Sequence, residues 1–79
     1  MVTVYVHLDG LESVLAELEQ MPDPNDLLIT CHNCRRRDGK EIQFIMREVT
    51  KVVFPMSVIK FIEVMPTDEG EEIETFIRE

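Results

Sequence analysis

The chain has no tryptophan, one tyrosine, three glycines and two cysteines in 79 residues. With so few bulky aromatic side chains, the core must be built from Val, Ile, Leu and Met, which is thin for a domain of this size. The glycines stand alone in "LDG", "RRRDGK" and "DEGEE", none of which has the spacing of a phosphate-cradling loop. Ser13 and Ser57 are the only serines, and neither lies in a nucleophile-elbow context, so no enzyme is expected. No apolar run approaches the roughly 18 residues that a membrane span needs. The start, "MVTVYVHLDG", lacks the basic and apolar regions of a secretory signal, so the expected compartment is the cytoplasm. Two cysteines in a reducing compartment are expected to be thiols or ligands and not a staple.

Positive charge is also scarce. The formal net charge is -8. It is unevenly spread: from Asp68 onward six carboxylates face only Arg78. An acidic chain opposes non-specific nucleic-acid binding, which depends on cations neutralising phosphates. Any such function would have to rest on a local patch.

What is present is a succession of short extended segments. "VTVYVHL" alternates Val2, Val4, Val6 and Leu8 with Thr3, Tyr5 and His7, the pattern of a half-buried strand. The next segment supports two readings. Leu11, Val14, Leu15, Leu18 and Met21 fall on one helical stripe, with Asp9 and Glu12 as a capping box and Pro22 and Pro24 as the stop. Alternatively, "LDG" closes a hairpin with Gly10 in the left-handed region, Val4 opposite Val14 and Val2 opposite Ala16. That register puts Val14, Ala16 and Leu18 on the face of the first strand's valines.

"PDPND" then reads as a turn and "LLITCHN" as a strand. "CRRRDGKE" reads as a loop around Asp38-Gly39, and "IQFIMREVTKVVF" as an extended run with Ile42, Phe44 and Met46 on one face. Two short strands interrupted at Pro55-Met56-Ser57 complete the set, since proline cannot donate to a central ladder. Met21, Met46, Met56 and Met65 are expected in a soft core, with Pro55-Met56 as an apolar corner within reach of a partner. Five or six strands in so short a chain predict a mainly β domain over residues 1–66, a small bent antiparallel sheet or SH3-like barrel. The α+β alternative packs residues 11–21 as a helix on the sheet. Residues 67–79 read either as a frayed acidic tail or as a short amphipathic helix with Ile73, Phe76 and Ile77 on one stripe, able to dock on the body or on a neighbour.

"VYVHLDG", followed by a candidate second strand, and "VVFPMSVIKFIEV" resemble the first hairpin and the last two strands of the Sm-like (LSm) family. The likeness spans residues 2–64. It implies a five-stranded bent barrel and a tendency to form rings through strand edges. The family's RNA pocket has an Asn before the third strand, where this chain has Asp26. Its last corner carries Arg-Gly, where this chain has Phe54-Pro55. The resemblance therefore implies shape and assembly and carries no RNA-binding residue to any position here.

Two clusters are candidates for chemistry. Cys31-His32-Asn33-Cys34 is a single C-x-x-C, and a zinc site would need His7, His32 or carboxylates to complete about four ligands. Strand alternation sends Cys31 and Asn33 to one face and His32 to the other, leaving Cys34 at the start of a loop. A redox role is weakened because no helix follows Cys34 to lower a thiol pKa. Arg35, Arg36, Arg37 and Lys40 form the one basic cluster, able to grip a phosphate backbone from a hairpin tip or to pair with carboxylates. No aromatic residue lies in that loop to stack on a base, and Phe44 nearby is expected in the core. The function expected is a non-catalytic interaction module, a homo-oligomer without cofactor that self-associates through strand edges. Nucleic-acid binding through Arg35–Lys40 and a zinc-stabilised module on Cys31 and Cys34 are the alternatives.

Overall fold

A computed structural model describes residues 1–66; the acidic tail and its helical stripe lie outside the described residues. The valine alternation produces what it predicts. Strand β1 (Val2–Leu8) buries Val4, Val6 and Leu8, and strand β2 (Val14–Leu18) buries Val14, Ala16 and Leu18. Residues 14–18 are a strand, so the hairpin reading holds and the helical one does not. The faces are as expected, but the register is two residues wider: Val4 opposes Ala16 and Val6 opposes Val14. A tight three-residue loop would need the backbone of Asp9 within the hairpin. Instead the Asp9 N–H donates to the Val58 carbonyl at 2.8 Å, and Gly10 takes a φ of 77° in a longer connection.

Strand β3 (Leu28–Arg35) follows a turn in which the Asp26 N–H donates to the Asp23 carbonyl and the Asp26 carboxylate accepts from the Asp23 N–H. Strand β4 (Lys51–Pro55), a single 3₁₀ turn (Met56–Val58) and strand β5 (Ile59–Val64) complete the chain order, with the break at Pro55 where the sequence placed it. All pairings are antiparallel, and the spatial order is β4-β3-β2-β1-β5. Consecutive strands β4 and β5 thus stand at opposite ends of one sheet. A three-residue connection can join them only because the sheet curls strongly on itself, into a half-barrel.

The concave face holds the core. Beside the six residues of β1 and β2 it takes Ile29, Cys31, Phe54 and Ile42. Burying a side chain such as Leu18 contributes about 2 kcal/mol, so a core of this size depends on each member. Ile42 comes from the segment between β3 and β4, where the extended reading fails. Residues 41–50 make two turns, with Ile45 N–H donating to the Ile42 carbonyl at 3.3 Å and Val49 N–H to the Met46 carbonyl at 3.0 Å. Turn spacing brings Ile42 and Ile45 to the core and leaves Phe44 and Met46 exposed. Met21 is exposed as well, while Met56 packs against the core. No helix among the described residues is long and apolar enough to cross a membrane.

Candidate functional site

Strand β3 carries the C-x-x-C, and it is irregular there. Opposite β2, Glu17 pairs with His32 and Leu15 pairs with Arg35, so three steps on β3 match two on β2. Asn33 and Cys34 both stand across from Ala16: a β-bulge. Its first residue, Asn33, has a φ of 57°, a conformation that asparagine tolerates better than most residues. The Asn33 N–H donates to the Thr50 carbonyl at 2.9 Å, and its side-chain amide donates to Glu17 Oε1 at 3.3 Å.

The extra residue changes which way Cys34 faces. In a regular strand Cys31 and Cys34 would lie on opposite faces. Across the bulge both point to the concave side: Cys31 is fully buried, and Cys34 is half-buried against the same core. Cys34 Sγ lies 4.0 Å from the Cys31 carbonyl oxygen, and both thiols are free. The neighbouring Cys34 thiol and burial together push the Cys31 thiol up, while Cys31 and the Arg35 guanidinium hold Cys34 below the ordinary thiol value against the opposing effect of burial. Cys34 is therefore a strand residue facing a recess of about 140 Å³, which the segment 39–49 closes over it with Lys40, Ile42, Ile45 and Arg47.

The candidate histidines lie on the convex face. His32 Nε2 is 3.7 Å from Glu19 Oε2, beside a recess of about 370 Å³ with Asp26 and Lys51 on its lining. His7 belongs to another cluster. Its ring stacks on Phe61 and meets Tyr5 edge-on; Nε2 is 2.7 Å from Glu63 Oε1, and Ser13 Oγ is 3.0 Å from Nδ1. The structure does not bring Cys31, Cys34, His7 and His32 together. Among the described residues, no group of three or more His, Cys, Asp or Glu side chains is arranged to hold a metal.

The chain Ser13–His7–Glu63 spans the β1–β2 connection, β1 and β5. Nothing in the sequence announced it, since its members meet only through the pairing of Tyr5 with Glu63 and His7 with Phe61. A serine, an imidazole and a carboxylate in sequence can relay a proton; here they lie on the convex face beside Phe61 and tie the β1–β2 connection and β5 to β1.

The basic cluster is largely answered from within. Arg35 Nη2 donates to Glu17 Oε2 at 2.9 Å, and its Nη1 donates to the Asn33 carbonyl at 2.7 Å. Arg36 bonds Asp38 at 2.9 Å and stands 3.9 Å from Glu12, while Arg37 lies over the Tyr5 ring at 5.7 Å. Lys40 has its backbone N–H on Asp38 Oδ1. The expected turn at Asp38-Gly39 is present, with Gly39 N–H donating to the Arg36 carbonyl. Three carboxylates, Glu12, Glu17 and Asp38, thus offset charge that a phosphate backbone would otherwise meet.

Comparison with protein-family models, with curated proteins and with solved structures finds no match to this chain.

Proposed function

We propose that this chain is a non-catalytic interaction module that self-associates through the outer edges of β4 and β5. One observation carries the reading. Among the described residues, both terminal strands are paired on one side only, and both expose apolar side chains: Val53 is 50% exposed, Phe61 54% and Val64 55%. Val64 is the most telling, because it stands opposite buried Val4 and so faces the concave side, yet that side is open at the β5 edge. A strand supplied by a second copy would cover it and pair the bare backbone groups.

The two edges are different surfaces, so contact between them is head-to-tail, and repetition of such a contact gives a closed ring or an open filament. A strongly curled sheet of five strands accords with the bent barrel that the Sm-like resemblance implies, which supports the same reading. A nucleic-acid function gains little support from the arginine loop, where carboxylates pair with Arg35 and Arg36.

Light scattering on a sizing column tests the proposal. The expected mass is a multiple of 9.2 kDa, falling to a single chain for Val53→Lys with Val64→Lys. A wild-type monomer across the micromolar range discards the reading.

A further inference from the structure

We propose that Cys31 and Cys34 form a reversible dithiol–disulfide couple, with Cys34 as the attacking thiol and Cys31 as the resolving one, driven by exchange with a low-molecular-weight disulfide. The bulge carries this assignment. Two cysteines three apart on a regular strand are held on opposite faces of the sheet and cannot bond. Here the left-handed Asn33 inserts one residue, and both side chains reach the same face, with Cys34 Sγ 4.0 Å from the Cys31 carbonyl oxygen.

Burial divides the roles. Cys31 is sealed in the core, out of reach of any solute, whereas Cys34 opens into the recess under segment 39–49. Lys40, Arg35 and Arg47 line that recess together with Glu41, which pairs with Arg47 at 2.9 Å, while Glu17 holds Arg35. Arg35 also stands beside the thiol that must ionise.

The exchange balances without any other oxidant. The Cys34 thiolate attacks one sulfur of the small disulfide; a Cys34–S–S–R bond forms, the small S–S bond breaks, and one thiolate leaves. The Cys31 sulfur then attacks Cys34 Sγ as its proton passes to the departing small sulfur; the intramolecular bond forms, the mixed disulfide breaks, and the second small thiol leaves. The protein loses two hydrogens, and the small disulfide is reduced to two thiols.

The experiment uses the full chain, reduced and then exposed to oxidised glutathione, quenched at intervals in acid and weighed by mass spectrometry. Wild type is expected to pass through a short-lived glutathione adduct to a monomeric chain lighter by two hydrogens, reversible with dithiothreitol. Cys31→Ala should stop at a stable adduct on Cys34, and Cys34→Ala should stay unmodified. Iodoacetamide should label Cys34 in the folded wild type at least about tenfold faster than Cys31, as differential access and thiolate character require. The wild-type result decides even where an alanine variant does not fold. A chain that stays reduced, halts at the adduct, or joins only to a second chain overturns the proposal.

Discussion

The His7 imidazole lies 4.1 Å from the Phe61 ring, centroid to centroid, with the planes inclined by 22°. These residues oppose each other on β1 and β5, and the pairing of those strands adds the last strand to the sheet. A stacked cross-strand aromatic pair contributes about 1 kcal/mol beyond its area. Phe61→Ala is therefore expected to lower unfolding free energy by about 1–2 kcal/mol, and Phe61→Leu by less, because Leu keeps apolar cover but not the stack. Urea titrations of the three proteins check the ranking; equal losses for Ala and Leu would remove the stack from the account.

Glu17 and Arg35 make a second cross-strand tie, 2.9 Å apart and only partly exposed. Burial pushes the Glu17 carboxyl up, but hydrogen bonds from Arg35 and Asn33 and the Arg35 charge outweigh it and leave the group below its ordinary value. A depressed carboxyl means that the stabilisation is complete above the ordinary carboxylate range and is lost as pH falls through the lowered value. Arg35→Met should cost about 0.5–1 kcal/mol at neutral pH, discounted for solvent screening. It should also flatten the acid limb of the stability curve. Chemical melts at neutral and acid pH measure both.

Segment 41–50 offers a sharp contrast. Ile42→Ala is expected to cost about 2–4 kcal/mol, the range for truncating a buried aliphatic side chain. Phe44→Ala and Met46→Ala remove exposed groups and should stay within about 0.5 kcal/mol of wild type. The reverse order would restore the extended reading, in which all three share a face.

Asn33 holds the bulge open at a positive φ. Asn33→Val should cost about 1–3 kcal/mol, since a β-branched residue is strained there. Asn33→Gly accepts the conformation and loses only the long bond to Glu17, so a loss under about 1 kcal/mol is expected. Thermal melts of the pair separate backbone strain from side-chain bonding.

With Glu12, Glu17 and Asp38 engaging Arg35 and Arg36 locally, affinity for a single-stranded oligonucleotide should be weak at low salt and absent near physiological ionic strength. Fluorescence anisotropy across a salt series checks this. Tight binding that Arg36→Ala weakens would reinstate the nucleic-acid reading.

The strands were legible where one face is buried, because a period of two leaves its mark on the residues themselves. Val2 to Leu8, and Val14, Ala16 and Leu18 opposite them, are of this kind, and Pro55 marked the break before β5. The β1–β2 register was not legible: it depends on Asp9 bonding to Val58, which arrives almost fifty residues later. Ile42, Phe44 and Met46 alternate as a strand would, and only the turn bonds at Ile45 and Val49 reveal otherwise. The two cysteines were visible as a motif, but their common facing hangs on one backbone angle at Asn33. Ser13, His7 and Glu63 come from three separate places in the chain, and no spacing rule joins them.

The sheet joins its first strand to its last, and the bond between His7 and Glu63 crosses 56 positions of chain. Such a closure is among the slowest kinds for a small domain. While the chain emerges from the ribosome, β1 has one flank bare until residue 64 is free. The hairpin of β1 and β2 must wait, half-dressed, for a strand that comes last. A chain cut short after Pro55 would keep that flank open for good, and clumping in place of clean folding is its expected fate.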